Sequence, residues 1–232
     1  MVLSIPIDAI LVPQGAEYKA VCRGLSRVNT TKPLVIQIPV GPKPLAIYLD
    51  KLKQEGHFLG NQPSRVLLMG LCGSLSPQHA IGDIVLYQEC VEELLMSTQR
   101  CDRPLTNLIQ QQLNQSVSLV RALTSDRLIW DAAQKRELGK IHAASVVDME
   151  GFAALEALSP SGSAVAMIRV VSDDCHHNLP DLTLALSDGS LQTFPLFWRL
   201  LRQPLAAARL IRGGLRGLQV LQRVTTGLFL DC

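Results

Sequence analysis

Two short segments hold the side chains with the most chemical reach. Val147-Asp148-Met149-Glu150-Gly151 places two carboxylates and a thioether where an apolar strand gives way to an Ala/Leu helix. Ser172-Asp173-Asp174 follows directly on the hydrophobic run Ile168-Arg169-Val170-Val171. About twenty residues separate the two, room for one helix and one returning strand. Loops at strand ends are where α/β folds bind ligands, so both segments are placed for a site. Asp173 is the candidate proton donor. An aspartate titrates near ~3.9 in water, so it needs burial or a like-charged neighbour to hold a proton at neutral pH. Asp174 is the neighbour that the sequence offers. Each segment also has a plain structural reading. Asp148 suits a helix N-cap with Glu150 near the positive helix end, and Ser172-Asp173 suits a turn. Their joint occurrence, in this order and at this separation, favours a site.

The elements around them alternate. Ala9-Ile10-Leu11-Val12 reads as a strand and Glu17 to Leu25 as a helix. A strand at Leu34 to Val40 runs into Gly41-Pro42-Lys43-Pro44, and helical spacing covers Leu45 to Gly56. Arg65 to Met69 is a buried strand followed by an expected turn, Gly70-Leu71-Cys72-Gly73-Ser74. Ile84 to Tyr87 is another strand, and a Gln-rich helix is expected over Asn107 to Leu123, with strand or loop at Leu128-Ile129. Val146-Val147, a helix from Glu150 to Leu158 and a strand from Ala164 to Val171 complete the body. Strands alternating with helices indicate an α/β fold with a largely parallel sheet. No repeat or low-complexity segment divides the chain. One domain over 1–232 is expected, with 194–230 as a basic helical C-terminal extension.

Composition agrees with an enzyme-sized α/β core and excludes disorder: 232 residues, 47% hydrophobic and 18% charged. Aromatics make up 4%, so the core must be aliphatic. Residues 1–188 carry 16 basic and 19 acidic side chains, whereas from Gly189 onward six arginines face the single acid Asp231. The six cysteines form no CxxC pair and no zinc-like spacing, and no signal peptide is expected before Ile5, because the first basic residue is Lys19. Free thiols in a cytoplasmic protein are the expectation. Cys175-His176-His177 is read as a mobile loop over the site rather than as metal ligands, because adjacent positions rarely converge on one ion. No metal, no cofactor and no nucleic-acid partner are expected.

The two segments together resemble the superfamily of nucleoside phosphorylases and methylthioadenosine/S-adenosylhomocysteine nucleosidases. Val40-Gly41-Pro42-Lys43-Pro44, the turn Met69 to Leu75 and Ile81-Gly82-Asp83-Ile84-Val85 match its pattern in order, as does Ile10 to Glu17. The resemblance implies a three-layer fold with a mixed, mostly parallel central sheet flanked by helices. It also implies cleavage of a purine N-glycosidic bond. Such cleavage leaves an oxocarbenium-like ribose and a base that departs badly as an anion, so the base must be protonated and a nucleophile delivered to the opposite side of the sugar. By resemblance, Asp173 protonates the purine with Ser172 orienting it. Glu150 accepts from the ribose diol, Met149 packs on the sugar, and Glu17 activates water. Gly41 and Gly73 let backbone N–H groups approach the ligand, and Ile129 lies along the base pocket.

Departures from the pattern narrow the reading. Leu68 and Leu71 stand where phosphorylases place an arginine and a serine around phosphate, which favours water over phosphate. Arg23, Arg27 and Lys43 are the residues that would have to compensate. Leu128 stands where adenosine-cleaving nucleosidases stack an aromatic on the purine. Asn178-Leu179-Pro180-Asp181-Leu182, the Asp188-Gly189 turn and the Leu/Arg segment from Trp198 resemble the hopanoid-associated phosphorylase branch. That resemblance implies an adenine nucleoside whose 5′ substituent is a triterpene lipid. Leucines alternating with arginines make the tail basic and amphipathic, suited to anionic lipid or to packing on the body or a second subunit. The expected partners are therefore a small-molecule nucleoside, a further copy of the chain and a peripheral membrane contact. A phosphate-dependent phosphorylase and a non-catalytic nucleoside binder stand as alternatives.

Overall fold

The computed structural model describes residues 7–28, 31–56, 59, 62–113, 117–180, 186–187, 190–191 and 203–230. Its first strand, β1 (Ala9–Pro13), is buried at every position. A strand with no wet face must have cover on both sides, and that requirement sets the layers. β1 pairs in parallel with β2 (Leu34–Ile38) and with β3 (Arg65–Ser74). β3 runs parallel to β8 (Ala164–Asp173) along nearly its whole length. β8 is antiparallel to β4 (Ile84–Glu92), β4 is parallel to β6 (Ser118–Thr124), and β6 is parallel to β7 (Val146–Asp148). β7 then returns antiparallel to the end of β3, Gly73 opposite Val147. The strands β3, β8, β4, β6 and β7 thus close a ring, with β1 and β2 as an open wing. A short β5 (Thr98–Arg100) lies beside β4, and β9 (Leu186–Ser187) pairs with β10 (Ser190–Leu191).

Alternation along the strands divides the core in two. Ile10, Val12, Leu67, Met69, Ile168 and Val170 face α1 (Ala16–Leu25), α3 (Arg103–Gln112) and α6 (Pro204–Phe229). Ala9, Leu11, Val66, Leu68, Met167 and Val171 face α2 (Pro42–Gln54) and α5 (Gly151–Leu158). α4 (Ala132–Ile141) contributes Leu138 to a third cluster with Leu75, Leu123 and Val147. This is the α/β arrangement of a mixed, mostly parallel sheet between helices.

Several expectations need correction. Gly70 to Ser74 is not a turn but the second half of β3. The helix expected over Asn107 to Leu123 stops at Gln112, and Ser118 to Thr124 is strand β6. The C-terminal helix begins at Pro204 and is part of the core. Val220, Leu221, Val224 and Leu228 pack with α1 residues Ala20, Val21 and Leu25. The preceding part of the expected extension lies outside the described residues, as do Asp181, Leu182 and the Asp188-Gly189 turn. No helix among the described residues is long and apolar enough to cross a membrane.

Candidate active site

The candidate residues gather where β1, β3, β7 and β8 end. Glu17 occupies the first turn of the helix that follows β1. Gly41 is the N-cap of α2, held at φ 97°, a conformation costly for any side chain. Its N–H donates to Glu150 Oε1 at 3.1 Å. Glu150 immediately precedes α5, and Met149 reaches back so that its Cε stands 3.9 Å from where a Gly41 side chain would begin. Gly41, Met149 and Glu150 are therefore one group, although 109 residues separate Gly41 from Glu150 in sequence.

Beneath them lies a buried charge cluster. Arg169 is fully buried in the middle of β8, on the face of Met167 and Val171. Its NH2 donates to Asp148 Oδ2 at 2.9 Å and to Glu150 Oε2 at 3.2 Å. Asp148 also accepts from Thr124 Oγ1 at 2.8 Å and from the Gly151 N–H, but it closes β7, and the N-cap of α5 is Glu150 rather than the expected Asp148. Glu17 Oε1 accepts from the Leu71 N–H at 2.6 Å. A side chain at Gly70 would begin 2.7 Å from Glu17 Oε1 and 2.2 Å from Arg169 NH1. The glycine keeps that space open between acid and guanidinium. Burial, reinforced by the charge of Glu150, pushes Glu17 up from 4.5 to about 7. Burial also raises Glu150, with Arg169 opposing the shift and Asp148 adding to it. Burial works against the charge of Arg169, but Asp148 and Glu150 keep it protonated. Its Nε and NH1 have no partner among the described residues, and buried donors of that kind call for an acceptor.

Asp173 closes β8 and is buried. Ser172 Oγ donates to Asp173 Oδ1 at 2.7 Å, with the Cys72 carbonyl oxygen at 3.2 Å as the weaker alternative. A bulge between Cys72 and Gly73 sets Gly73 opposite Asp173. A side chain at Gly73 would begin 2.8 Å from Asp173 Oδ2, so this glycine makes room for the acid. The expected like-charged neighbour is absent. Asp174 turns its carboxylate to the backbone N–H groups of His176 and His177 and to the His177 ring, and these hydrogen bonds hold it low against the effect of its burial. The neighbour of Asp173 is instead Lys135 of α4, whose Nζ is hydrogen-bonded to Asp173 Oδ2. The loop after β8 is hydrogen-bonded to α4 and to the segment before it. Arg136 NH1 donates to the Cys175 carbonyl at 2.6 Å, and the Leu179 N–H to the Trp130 carbonyl at 2.9 Å. Among the described residues no three His, Cys, Asp or Glu side chains come together as a metal site.

Three cavities adjoin these groups. Gly73, Leu128, Ile129, Met149 and Asp173 line a slot of ≈ 40 Å³, room for a few waters but not for a purine ring. A base enters only if the Leu128-Ile129 loop or Met149 yields. On the far side of Met149 a cavity of ≈ 660 Å³ is walled by Val40, Pro44, Ile47 and Tyr48, with Lys43 and Lys51 at its margin. On the far side of Asp173 a cavity of ≈ 300 Å³ is lined by Arg209, Arg212 and Arg216 of α6. α6 reaches this position by glycine contacts. A side chain at Gly213 would begin 2.1 Å from the Ser172 carbonyl oxygen, and one at Gly217 would begin 2.9 Å from Leu71 Cδ2.

The structure therefore brings Glu17, Gly41, Gly73, Ile129, Met149, Glu150, Ser172 and Asp173 to one end of the sheet. Leu68 is core, and Leu71 serves through its N–H. Arg23 closes the last turn of α1 and Arg27 lies beyond it, both exposed, whereas Glu17 is in the first turn. Arg169 and Lys135 are the site residues that sequence reasoning left out, and Asp148 was read only as a helix start. For Arg169 the signal was present: a guanidinium at an inward position of an unbroken apolar strand must have a buried partner.

The profile of the phosphorylase superfamily matches residues 12–190. No curated protein matches the sequence. Among solved structures, futalosine hydrolase of Helicobacter pylori has a TM-score of 0.69 at 14% identity, over 97% of each chain. The 5′-methylthioadenosine/S-adenosyl homocysteine nucleosidase of the same organism has a TM-score of 0.68 at 13% identity, covering 97% of this chain and 98% of that one. S-adenosylhomocysteine nucleosidase from Streptococcus pyogenes, in complex with 5-methylthiotubericidin, has a TM-score of 0.65 at 15% identity, covering 95% and 97%. At these identities the likeness is one of fold.

Proposed function

Because this chain belongs to the phosphorylase superfamily, we propose that it hydrolyses the N-glycosidic bond of a purine nucleoside and releases the free base. The observation that carries the reading is the convergence of three separate acids on one end of the sheet, each in surroundings suited to a different task. Glu150, anchored by Gly41 and Arg169, turns toward the Met149 side and accepts from the ribose hydroxyls. Asp173, steadied by Ser172 beside the slot, acts on the departing base. Glu17, pushed up to about 7, is suited to take a proton from water near neutrality. The unpartnered NH1 of Arg169 stands beside Glu17 across the Gly70 gap and can hold that water. Two of the similar structures bear the names of a nucleosidase and a hydrolase, which agrees with this reading.

Water is the nucleophile on electrostatic grounds. Around Gly70 the carboxylates Glu17, Asp148 and Glu150 share one guanidinium. A phosphate dianion would have to enter beside three carboxylates, with only the free Nε and NH1 of Arg169 to receive it. A non-catalytic binder has no use for three buried acids, each of which costs free energy to desolvate.

Adenine is the proposed base and a bulky apolar group the proposed 5′ substituent. The aliphatic walls Leu128 and Ile129 grip a ring by packing without stacking. The ≈ 660 Å³ cavity beyond Met149 gives the substituent its space, and a lipid of the hopanoid type is the extreme case. The test is release of free base from adenosine, 5′-methylthioadenosine, inosine and a 5′-alkyl adenosine, each with and without inorganic phosphate. Base release that needs no phosphate, fastest for the 5′-alkyl compound, is the expected result. Release that depends on phosphate replaces hydrolysis by phosphorolysis.

A further inference from the structure

Lys135 has no place in the chemistry described so far, yet it is the most unusual lysine of the chain. Its side chain is 1% exposed. Its neighbours on the inward stripe of α4 are Ala132 and Leu138, so the helix presents an ammonium where an aliphatic side chain would serve for packing. Its partners are Asp173 Oδ2 and, at 3.1 Å, the Asp174 carbonyl oxygen. Asp173 Oδ1 meanwhile accepts from Ser172. Both oxygens of Asp173 thus accept hydrogen bonds from a cation and a hydroxyl, the pattern of an ionised carboxylate. An ionised carboxylate holds no proton to give to a departing purine. A hydrophobic side chain of similar volume in place of Lys135 would pack as well without burying a charge. The chain instead keeps a buried ion pair, a costly arrangement to maintain.

We propose that Lys135 is the source of the proton that the purine takes, passed on through Asp173. This rests on the nucleosidase reading above. As the C1′–N9 bond breaks, its electron pair moves into the purine. A ring nitrogen takes a proton from Asp173 Oδ2, which takes one from the Lys135 ammonium. Asp173 ends as it began, ionised, Lys135 ends as a neutral amine, and the base leaves neutral. At the other face the water oxygen bonds to C1′ and its proton goes to Glu17. Solvent exchange then returns the proton of Glu17 to Lys135. Lys135 is a positioning residue in this scheme, because it acts through Asp173 and does not touch the substrate. The placement of Gly73 supports the path: its missing side chain leaves Asp173 Oδ2 open to the base slot and to α4 at once.

The experiment compares Lys135→Arg, Lys135→Met and wild type on two substrates. One is 5′-methylthioadenosine, whose base needs a proton to leave. The other is 4-nitrophenyl β-ribofuranoside, whose nitrophenolate leaves without one. For both variants kcat on 5′-methylthioadenosine should fall at least ~10²-fold with little change in KM, the usual scale of a lost proton transfer. On the nitrophenyl riboside they should stay within about threefold of wild type, because ribose grip and water activation are untouched. Adding Asp173→Asn to Lys135→Met should cost no more than Asp173→Asn alone, as for residues that act as a unit. If Lys135→Arg restores purine cleavage, Lys135 is only a counter-charge and the relay is wrong. Equal losses on both substrates make it a packing residue and also overturn the relay. A wild type that cleaves neither substrate overturns the nucleosidase reading and the relay together.

Discussion

Replacing Glu17 by glutamine should make the protein more stable at pH 8 and hardly alter it at pH 4.5. Burial and the charge of Glu150 move Glu17 from its ordinary 4.5 to about 7. The folded protein therefore holds this proton more tightly than the unfolded chain does. Stability is unaffected below about 4.5, declines as pH rises toward about 7, and carries the whole penalty above it. The gap from 4.5 to about 7, at ~1.36 kcal/mol per pH unit, corresponds to roughly 3 kcal/mol. Glutamine has no proton to lose, and its Oε1 can still accept from the Leu71 N–H. The stability of Glu17→Gln relative to wild type should thus grow by roughly 3 kcal/mol between pH 4.5 and pH 8. Urea midpoints at pH 4.5, 6 and 8 measure it, provided the slope of the transition is unchanged. Turnover should move the other way, rising in wild type as pH passes about 7 and nearly absent in the variant at every pH. A stability difference that does not vary with pH would refute the buried carboxylate, and with it the assignment of Glu17 as the base that accepts a proton from water.

Asp173→Asn should reduce base release by ~10²-fold or more while nucleoside binding stays measurable, and more than a tenth of wild-type turnover would remove Asp173 from the mechanism. Glu150→Gln should cost ~1–3 kcal/mol on a riboside and much less on its 2′-deoxy counterpart, and equal losses on both sugars would place Glu150 away from the diol. Replacing Arg209, Arg212 and Arg216 together with glutamine should weaken cosedimentation with anionic vesicles at low salt, each basic residue contributing ~1 kcal/mol near such a surface. Unchanged cosedimentation would rule these arginines out as a membrane contact.

The strands that bury both faces were readable because an apolar run serves best there, as in Ile10-Leu11-Val12 and, interrupted only by Arg169, Val165 to Val171. β6 was not readable. Ser118-Leu119-Val120-Arg121-Ala122 fits a helix face as well as a strand, and its pairing with β4 and β7 decides. The glycines of β3 misled for a different reason. Gly70 and Gly73 look like a turn but are absences of side chain, leaving space for Arg169 and Asp173, which lie a hundred residues away in sequence. Asp173, Glu150 and Glu17 could be named from local spacing and family pattern. Lys135 could not, because among Gln134, Arg136 and Glu137 it looks like any solvated helix lysine. Its one clue was its register with Ala132 and Leu138.

The glycine face of α6 carries a consequence for descent. Gly213 rests on the carbonyl of Ser172, which steadies Asp173, and Gly217 rests on Leu71, whose N–H holds Glu17. A single helix thus props the two halves of the proposed reaction from behind. A side chain added at either glycine displaces one half, and a wholesale exchange of the helix displaces both. The C-terminal helix and the acids in front of it can therefore change only together. Within the helix, room for change is left on the outward face of Ile211 and Leu215.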